Sequence, residues 1–285
     1  MKKAFILSSL AVLSLASLAS CGGRDTSKVI AVCASESPHA LILNNAVKPL
    51  LEEKGYRLEV TVLDWTLQND AVLNGDYDAN YFQHRPYLQQ YETNKDNYSE
   101  TYTYTKVFPT ALVHYEPLRI YAGKAKAADF EKNKKTATYE ICSDSSNEIR
   151  ALELLKVNGV IDSYEVDESG TPLNENGTVK GHENIHLIDE AMLSAHLEDY
   201  DYGALPCNTA LTANLTADDT LPVEDSSVAE LRANVIAANV ESYKKDEVYK
   251  AKIDALTEAI LDESVASYIK STWNGVIATY PKSLL

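Results

Sequence analysis

From Ser27 onward the chain alternates between short apolar runs and amphipathic segments. "SKVIAVCAS" is a β-branched run closing in small residues, the pattern of a buried strand. In "SPHALILNNAVKPLLEEKGY" the apolar residues Leu41, Ile42, Ala46, Leu50 and Leu51 recur at helical spacing. Ser37 as N-cap, Pro38 at the first helical position and Gly55 beyond the last turn mark the ends of that helix. "RLEVTVLDW" sets Leu58, Val60 and Val62 against polar neighbours and predicts a second strand. A short helix around "QNDAVLNG" leads to "DYDANYFQHRPYLQQYE". Strand, helix, strand, helix predicts a parallel α/β sheet.

The middle of the chain repeats this grammar. "ALVHYEPLRIYAG" reads as one long strand with Pro117 inside it, suited to a passage between two domains. "TATYEICSDSSNEIRALELLKVNG" reads as strand, polar turn and helix, "YGALPCNTALTA" as strand and turn, and "RANVIAANV" as a strand. Residues 246–268 carry helical periodicity, and Asp167 to Asn184, with three glycines and a proline, is the most loop-like stretch. There is no internal repeat.

One pentapeptide inside this pattern needs separate treatment. "HENIH", His182 to His186, matches the spacing by which zinc proteases hold their metal and general base. That chemistry requires both histidines on one helical face. Here Gly177 and Gly181 precede them, no helix start is in place, and "NIHLIDE" alternates as a short strand. At about 3.3 Å per residue, the two histidines of a strand stand about 13 Å apart and cannot share one ion. The reading is a loop-to-strand junction, with no metal site and no catalytic role.

The N-terminus, "MKKAFILSSLAVLSLASLASCGG", has a basic start, an apolar stretch and small residues before Cys21. It is an export signal over residues 1–20, outside the fold, and "LASC" has the form of a lipobox with Cys21 as the lipid-accepting residue. Residues 21–28 form a polar tether. The expected location is the extracytoplasmic face of the cell membrane, held by acyl chains. No later segment is long and apolar enough to cross a bilayer. The full chain carries a net charge of −16, which argues against nucleic acid and anionic lipid surfaces as partners. Cys33, Cys142 and Cys207 are too few and too oddly spaced for a disulfide scaffold or zinc ribbon. They read as small buried residues, with one bridge between two of them as the alternative.

"GDYDANYFQHRPYLQQY", Gly75 to Tyr91, closely resembles a segment of the NlpA-type methionine-binding lipoproteins, the solute receptors of methionine ABC importers. "ASESPHALIL", "VHYEPLRIYAGK", "SDSSNEIRALELL", "CNTALT", "ANVIAA" and "WNGVIATY" are similar to further segments of that family, in the same order. The resemblance implies an α/β, two-lobed periplasmic-binding-protein fold with mostly parallel sheets and two crossover strands. The expected lobes are 29–115 with 236–285, and 116–235, joined near Val113–Tyr121 and Arg232–Asn239. Ligand capture in the cleft and hinge closure would present the protein to a permease with its ATPase.

The resemblance also implies the residues of the cleft. Arg150 would grip a carboxylate. Asn147, Asn208 and Asn234 would bind ammonium or carboxylate, and Phe82, His84 and Tyr87 would wall the side chain. Tyr115 and Glu116, on the crossing strand, are further candidates. The expected ligand is L-methionine, with no cofactor and no enzymatic activity. The chain departs from the family at Cys142-Ser143, at Ala210-Leu211 and at Gln68, which leaves open a methionine-containing dipeptide, D-methionine or another apolar amino acid. A surface antigen or adhesin would share the lipobox and bind no small molecule.

Overall fold

The computed structural model describes residues 26–274 and 276–285. The expected export signal and Cys21 lie outside the described residues. The strands in chain order are β1 (Val29–Ala34), β2 (Arg57–Val62), β3 (Ala79–His84), β4 (Val107–Tyr115), β5 (Arg119–Ala122), β6 (Tyr139–Cys142), β7 (Asn174–Glu175), β8 (Thr178–Val179), β9 (His182–Ile188), β10 (Tyr202–Leu205), β11 (Ala233–Asn239) and β12 (Ala278–Ser283). They form two six-stranded sheets, β12-β4-β11-β3-β1-β2 and β5-β10-β6-β9-β8-β7. Each sheet with its helices is called a lobe below.

Parallel pairing is confined to three strands in each sheet. β2, β1 and β3 are parallel in the first, and β10, β6 and β9 in the second. The other neighbours are antiparallel. The reason is the path of the chain. β4 leaves the first lobe toward the second, and β11 returns between β3 and β4, so it runs against both. Ala233, Asn234 and Val235, which the sequence division puts in the second lobe, pair within the first sheet, with Tyr115, His114 and Leu112.

Both faces of each sheet are covered, as parallel strands require. On one face of the first sheet Ile30, Val32, Leu58 and Tyr81 pack against Ile253, Leu256 and Ile269 of the C-terminal helices Glu247–Ile260 and Glu263–Trp273. On the other face Cys33, Val72, Leu88, Leu112 and Val235 form a second cluster. In the second lobe Ile120, Tyr139, Ile141 and Tyr202 meet Leu152 and Leu155 of the helix Ser145–Val157. Leu193, Leu197 and Leu205 close the opposite face.

Several local expectations change for identifiable reasons. Pro117 breaks the predicted long strand, because it brings no backbone N–H to a ladder, and the strand resumes at Arg119. Ser37 is extended (φ −126°, ψ 137°), the conformation favoured before proline, and the N-cap position falls on Ser35 instead, whose side chain makes no cap hydrogen bond. "CNTALT" is a helix, Cys207–Thr212, rather than a turn. The loop-like stretch contains the hairpin β7–β8, turned by Asn176 and Gly177 at φ 53° and 80°. Two consecutive left-handed residues are what a tight hairpin of this twist requires, and Asn-Gly supplies them. Cys33, Cys142 and Cys207 are all buried, free thiols, so the alternative of a bridge between two of them does not hold.

Candidate functional site

The C-terminal ends of the parallel strands meet between the lobes, where α/β sheets place their ligand sites. β3 ends on Phe82 and His84. The helix Arg85–Thr93 follows at once and returns Tyr87 over Phe82, ring centroids 5.7 Å apart. β4 runs on to Glu116. After β6, Asp144 caps the helix Ser145–Val157 by accepting from Asn147 N, and Asn147 and Arg150 share one helix face. Asn208 follows β10, and Asn234 stands near the start of the antiparallel β11. Phe82, His84, Tyr87, Asn147, Arg150, Asn208 and Asn234 all line one cavity of about 500 Å³, counting space open at its mouth, and Glu116 lines it too. Tyr115 does not line it; its hydroxyl donates to Glu224 Oε2 at 2.8 Å.

Arg150 is the cation of this cavity, and it is not free. Its Nε donates to Glu224 Oε1 at 2.8 Å and Oε2 at 2.9 Å, and its Nη2 donates to Glu116 O at 2.6 Å and to Glu224 Oε2. The pair is buried, with side-chain exposures of 4% and 10%. Burial alone disfavours both charges. The opposite charge outweighs it, holding the Glu224 carboxyl below its ordinary range and the Arg150 guanidinium above its own. Leu118 N at 3.1 Å adds a backbone donor to Glu224.

His84 is kept neutral, first by burial and then by Arg232 and Arg150. Its Nδ1 accepts from Tyr87 N at 3.2 Å, which leaves Nε2–H to donate to Asn147 Oδ1 at 3.1 Å across the cleft. Asn147 Nδ2 in turn donates to Asp144 Oδ2 at 2.9 Å. Beneath Asn234, burial lowers the pKa of His39 to about 4. The neutral ring holds Asn234 Oδ1 through Nε2 at 3.1 Å, which fixes the amide so that Nδ2 is the end left for a ligand. Burial pushes the Glu116 carboxyl up but is outweighed by the His114 hydrogen bond at 2.6 Å and by charge, so it stays ionised. Its other oxygen accepts from Asn208 N at 3.2 Å. The seven expected residues with Glu116 therefore offer a guanidinium, a carboxylate, three amides, an imidazole and aromatic rings, groups that suit a zwitterion with an apolar side chain.

Sequence reasoning missed several neighbours. Ser35, Trp65, Gln83, Glu190 and Pro206 also line the cavity. Most of these stand at or just past a strand's C-terminal end, so the strand-end rule applied to "LDW", "LIDE" and "GALP" was the usable signal. Glu224 had none: it lies 74 positions from Arg150, in a segment without a strand.

A sequence profile of NlpA lipoproteins matches residues 30–279. The chain belongs to the NlpA lipoprotein family. It is 30% identical to the methionine-binding lipoprotein MetQ of Bacillus subtilis, over 97% of this chain and 98% of that one. Among solved structures, a lipoprotein of Ruminococcus gnavus superposes with a TM-score of 0.72 at 31% identity, over 89% of this chain and 99% of that one. A nutrient binding protein of Burkholderia cenocepacia, solved bound to methionine, superposes with a TM-score of 0.70 at 25% identity, over 88% and 99% of the two chains. The fold is thus that of the periplasmic-binding-type lipoproteins, and the family is a substrate-binding family rather than an enzyme class.

The zinc-protease spacing has no helix in this NlpA lipoprotein. All of HENIH lies in β9, beginning at His182 itself rather than at Asn184. His182 Nε2 bonds Ser163 O at 2.8 Å, and the His186 ring packs on Tyr200 at 4.9 Å. Among the described residues, two other groups hold three metal-type ligands within 4.8 Å: His39, His114 and Glu116, and Cys142, Asp144 and Glu190. The first is an internal hydrogen-bond chain, with His114 bonded to both Tyr81 and Glu116. Among the described residues no helix is long and apolar enough to cross a membrane.

Proposed function

We propose that this lipoprotein captures methionine, L-methionine foremost, in the interlobe cleft and delivers it to the permease of an ABC importer. One observation carries the reading: seven residues drawn from four separate segments of the chain converge on a single cavity whose chemistry matches the amino acid group by group. Arg150 takes the α-carboxylate together with the free amide end of Asn234. Glu116 and Asn208 take the ammonium. Phe82, Tyr87 and the neutral His84 face the thioether side chain, where sulfur–aromatic contacts contribute about 0.3–1.5 kcal/mol each. The methionine bound to the Burkholderia relative supports the same ligand class.

In this reading the lobes close as hinged bodies of residues 29–115 with 236–285 and 116–235, apart from the first residues of β11, which move with the first sheet. Cross-cleft bonds such as His84 to Asn147 and Gln90 Nε2 to Ser145 Oγ at 2.7 Å hold the closed form. Cys21 carries the lipid that keeps the receptor at the extracytoplasmic face.

Mass spectrometry of protein taken from membranes and denatured tests both parts. The expected result is released methionine in near-stoichiometric amount and an N-terminal peptide whose Cys21 bears a diacylglyceryl group. A different released metabolite, or an unmodified Cys21 thiol, contradicts the corresponding part.

A further inference from the structure

The wall facing the aromatic rings carries a carboxylate that a zwitterion with a neutral side chain does not need. Glu190 opens the helix Glu190–His196 directly after β9, and it lines the cavity. Its hydrogen bonds are long, 3.5 Å from Asn208 Nδ2 and 3.3 Å from Thr209 Oγ1. Its carboxylate lies within 4.8 Å of the Cys142 thiol and the Asp144 carboxylate. In the same cavity Trp65 and Phe82 both stand edge-to-face against Tyr87, with centroids 5.3 and 5.7 Å from its own.

A ring face attracts positive charge through its quadrupole, most strongly when water is excluded. A carboxylate across the same cavity adds direct attraction. A thioether gains nothing from that carboxylate, whereas an onium group gains from the carboxylate and from the rings together. The ligand's own α-carboxylate and α-ammonium already have Arg150 and Glu116. We propose that Glu190 is a specificity-determining residue that fits the cleft to an amino acid whose side chain ends in a positive group, a methylated sulfonium or an ammonium, held between Glu190 and the rings of Trp65, Phe82 and Tyr87. The proposal rests on the amino-acid-receptor reading above and extends its ligands from methionine to cationic relatives.

The charge around Glu190 gives the proposal a direction with pH. Burial, then the Asp144 carboxylate, push its pKa up to about 7. Asp144, Cys142, Glu116 and the Tyr87 hydroxyl face it, and none of them is a cation. A bound cation favours the ionised carboxylate. Affinity for a cationic side chain therefore rises as pH passes upward through 7, while affinity for methionine does not rise.

Calorimetric titration of unfolded and refolded protein with L-methionine, S-methyl-L-methionine and L-lysine, at about pH 6 and about pH 8, tests this for wild type and Glu190→Gln. S-methyl-L-methionine differs from methionine by one methyl and one charge, and lysine separates an ammonium from a sulfonium. The expected result is that wild type binds at least one cationic ligand more tightly at the higher pH. In Glu190→Gln its affinity relative to methionine falls at least about tenfold. Equal changes for methionine and the cations in the variant overturn the proposal. So does wild type that binds methionine and neither cation, which leaves the receptor reading standing. Wild type that binds none of the three sinks both.

Discussion

Arg150→Ala is expected to remove ligand capture and to destabilise the fold in one step. The guanidinium is the partner of a buried carboxylate, Glu224, through bonds of 2.8 and 2.9 Å to Nε, and it also holds the Glu116 carbonyl at 2.6 Å. Alanine leaves Glu224 uncompensated among Tyr115, Leu118 and the cavity wall. Breaking one side of a buried ion pair costs about 3–5 kcal/mol. A surface pair would cost under about 1 kcal/mol. Urea denaturation should show a fall in stability in the larger range, and titration should show at least about a hundredfold loss of amino-acid affinity. Glu224→Gln separates the two effects: it breaks the same pair from the other side while Arg150 stays in place for the ligand, so it is expected to lose stability on the same scale and to retain binding. An Arg150→Ala protein within about 1 kcal/mol of wild type contradicts the buried pairing.

The second large effect lies away from the cleft, where β4 begins. Glu92, near the end of the helix Arg85–Thr93, accepts from Thr105 N at 2.9 Å, Lys106 N at 2.7 Å and Val107 N at 2.8 Å, and from the Thr105 and Tyr102 hydroxyls at 3.0 and 3.1 Å. One carboxylate thus gathers three successive backbone donors and starts the strand that runs to Tyr115 and Glu116. Hydrogen bonds to a charged group contribute about 1.5–3 kcal/mol each, less than additively when shared. Glu92→Ala is expected to cost on the order of 3 kcal/mol in denaturant unfolding. The pH dependence has a definite sign. Burial raises the Glu92 pKa, but the bonds from Thr105, Val107 and Lys106 outweigh it, so the folded value lies below the unfolded one. Its contribution is full above the unfolded carboxylate pKa and is lost as pH falls through the folded value. Wild type should therefore lose stability on acidification more steeply than Glu92→Ala. Identical acid profiles would remove this account of the carboxylate.

The parts of the fold legible in the sequence are those carried by local rules. "SKVIAVCAS" and "RLEVTVLDW" announced β1 and β2 through β-branched runs, and Asn176-Gly177 could have announced a hairpin. The seven residues proposed for the ligand come from resemblance of motifs near strand ends, which is why they line one cavity. Features that depend on long-range pairing were not legible. Periodicity does not reveal strand direction, so the antiparallel β11 between β3 and β4 needed the path of the chain between lobes. Glu224 reaches Arg150 across 74 positions of sequence, and no local pattern marks it. Glu190 falls on a helix start that looked like the tail of a strand. "CNTALT" is short enough that six helical residues and a polar turn have the same composition. In each case the deciding term is a tertiary contact rather than a propensity.

The cleft of this NlpA lipoprotein is expected to bind a free methionine-type amino acid. Calorimetric titration of the signal-free protein with L-methionine, after unfolding and refolding to remove carried ligand, decides whether it does. One saturable site per chain, lost in Arg150→Ala, is expected. No heat of binding at millimolar L-methionine, D-methionine, methionine dipeptide and apolar amino acids, from protein shown to be refolded, contradicts it.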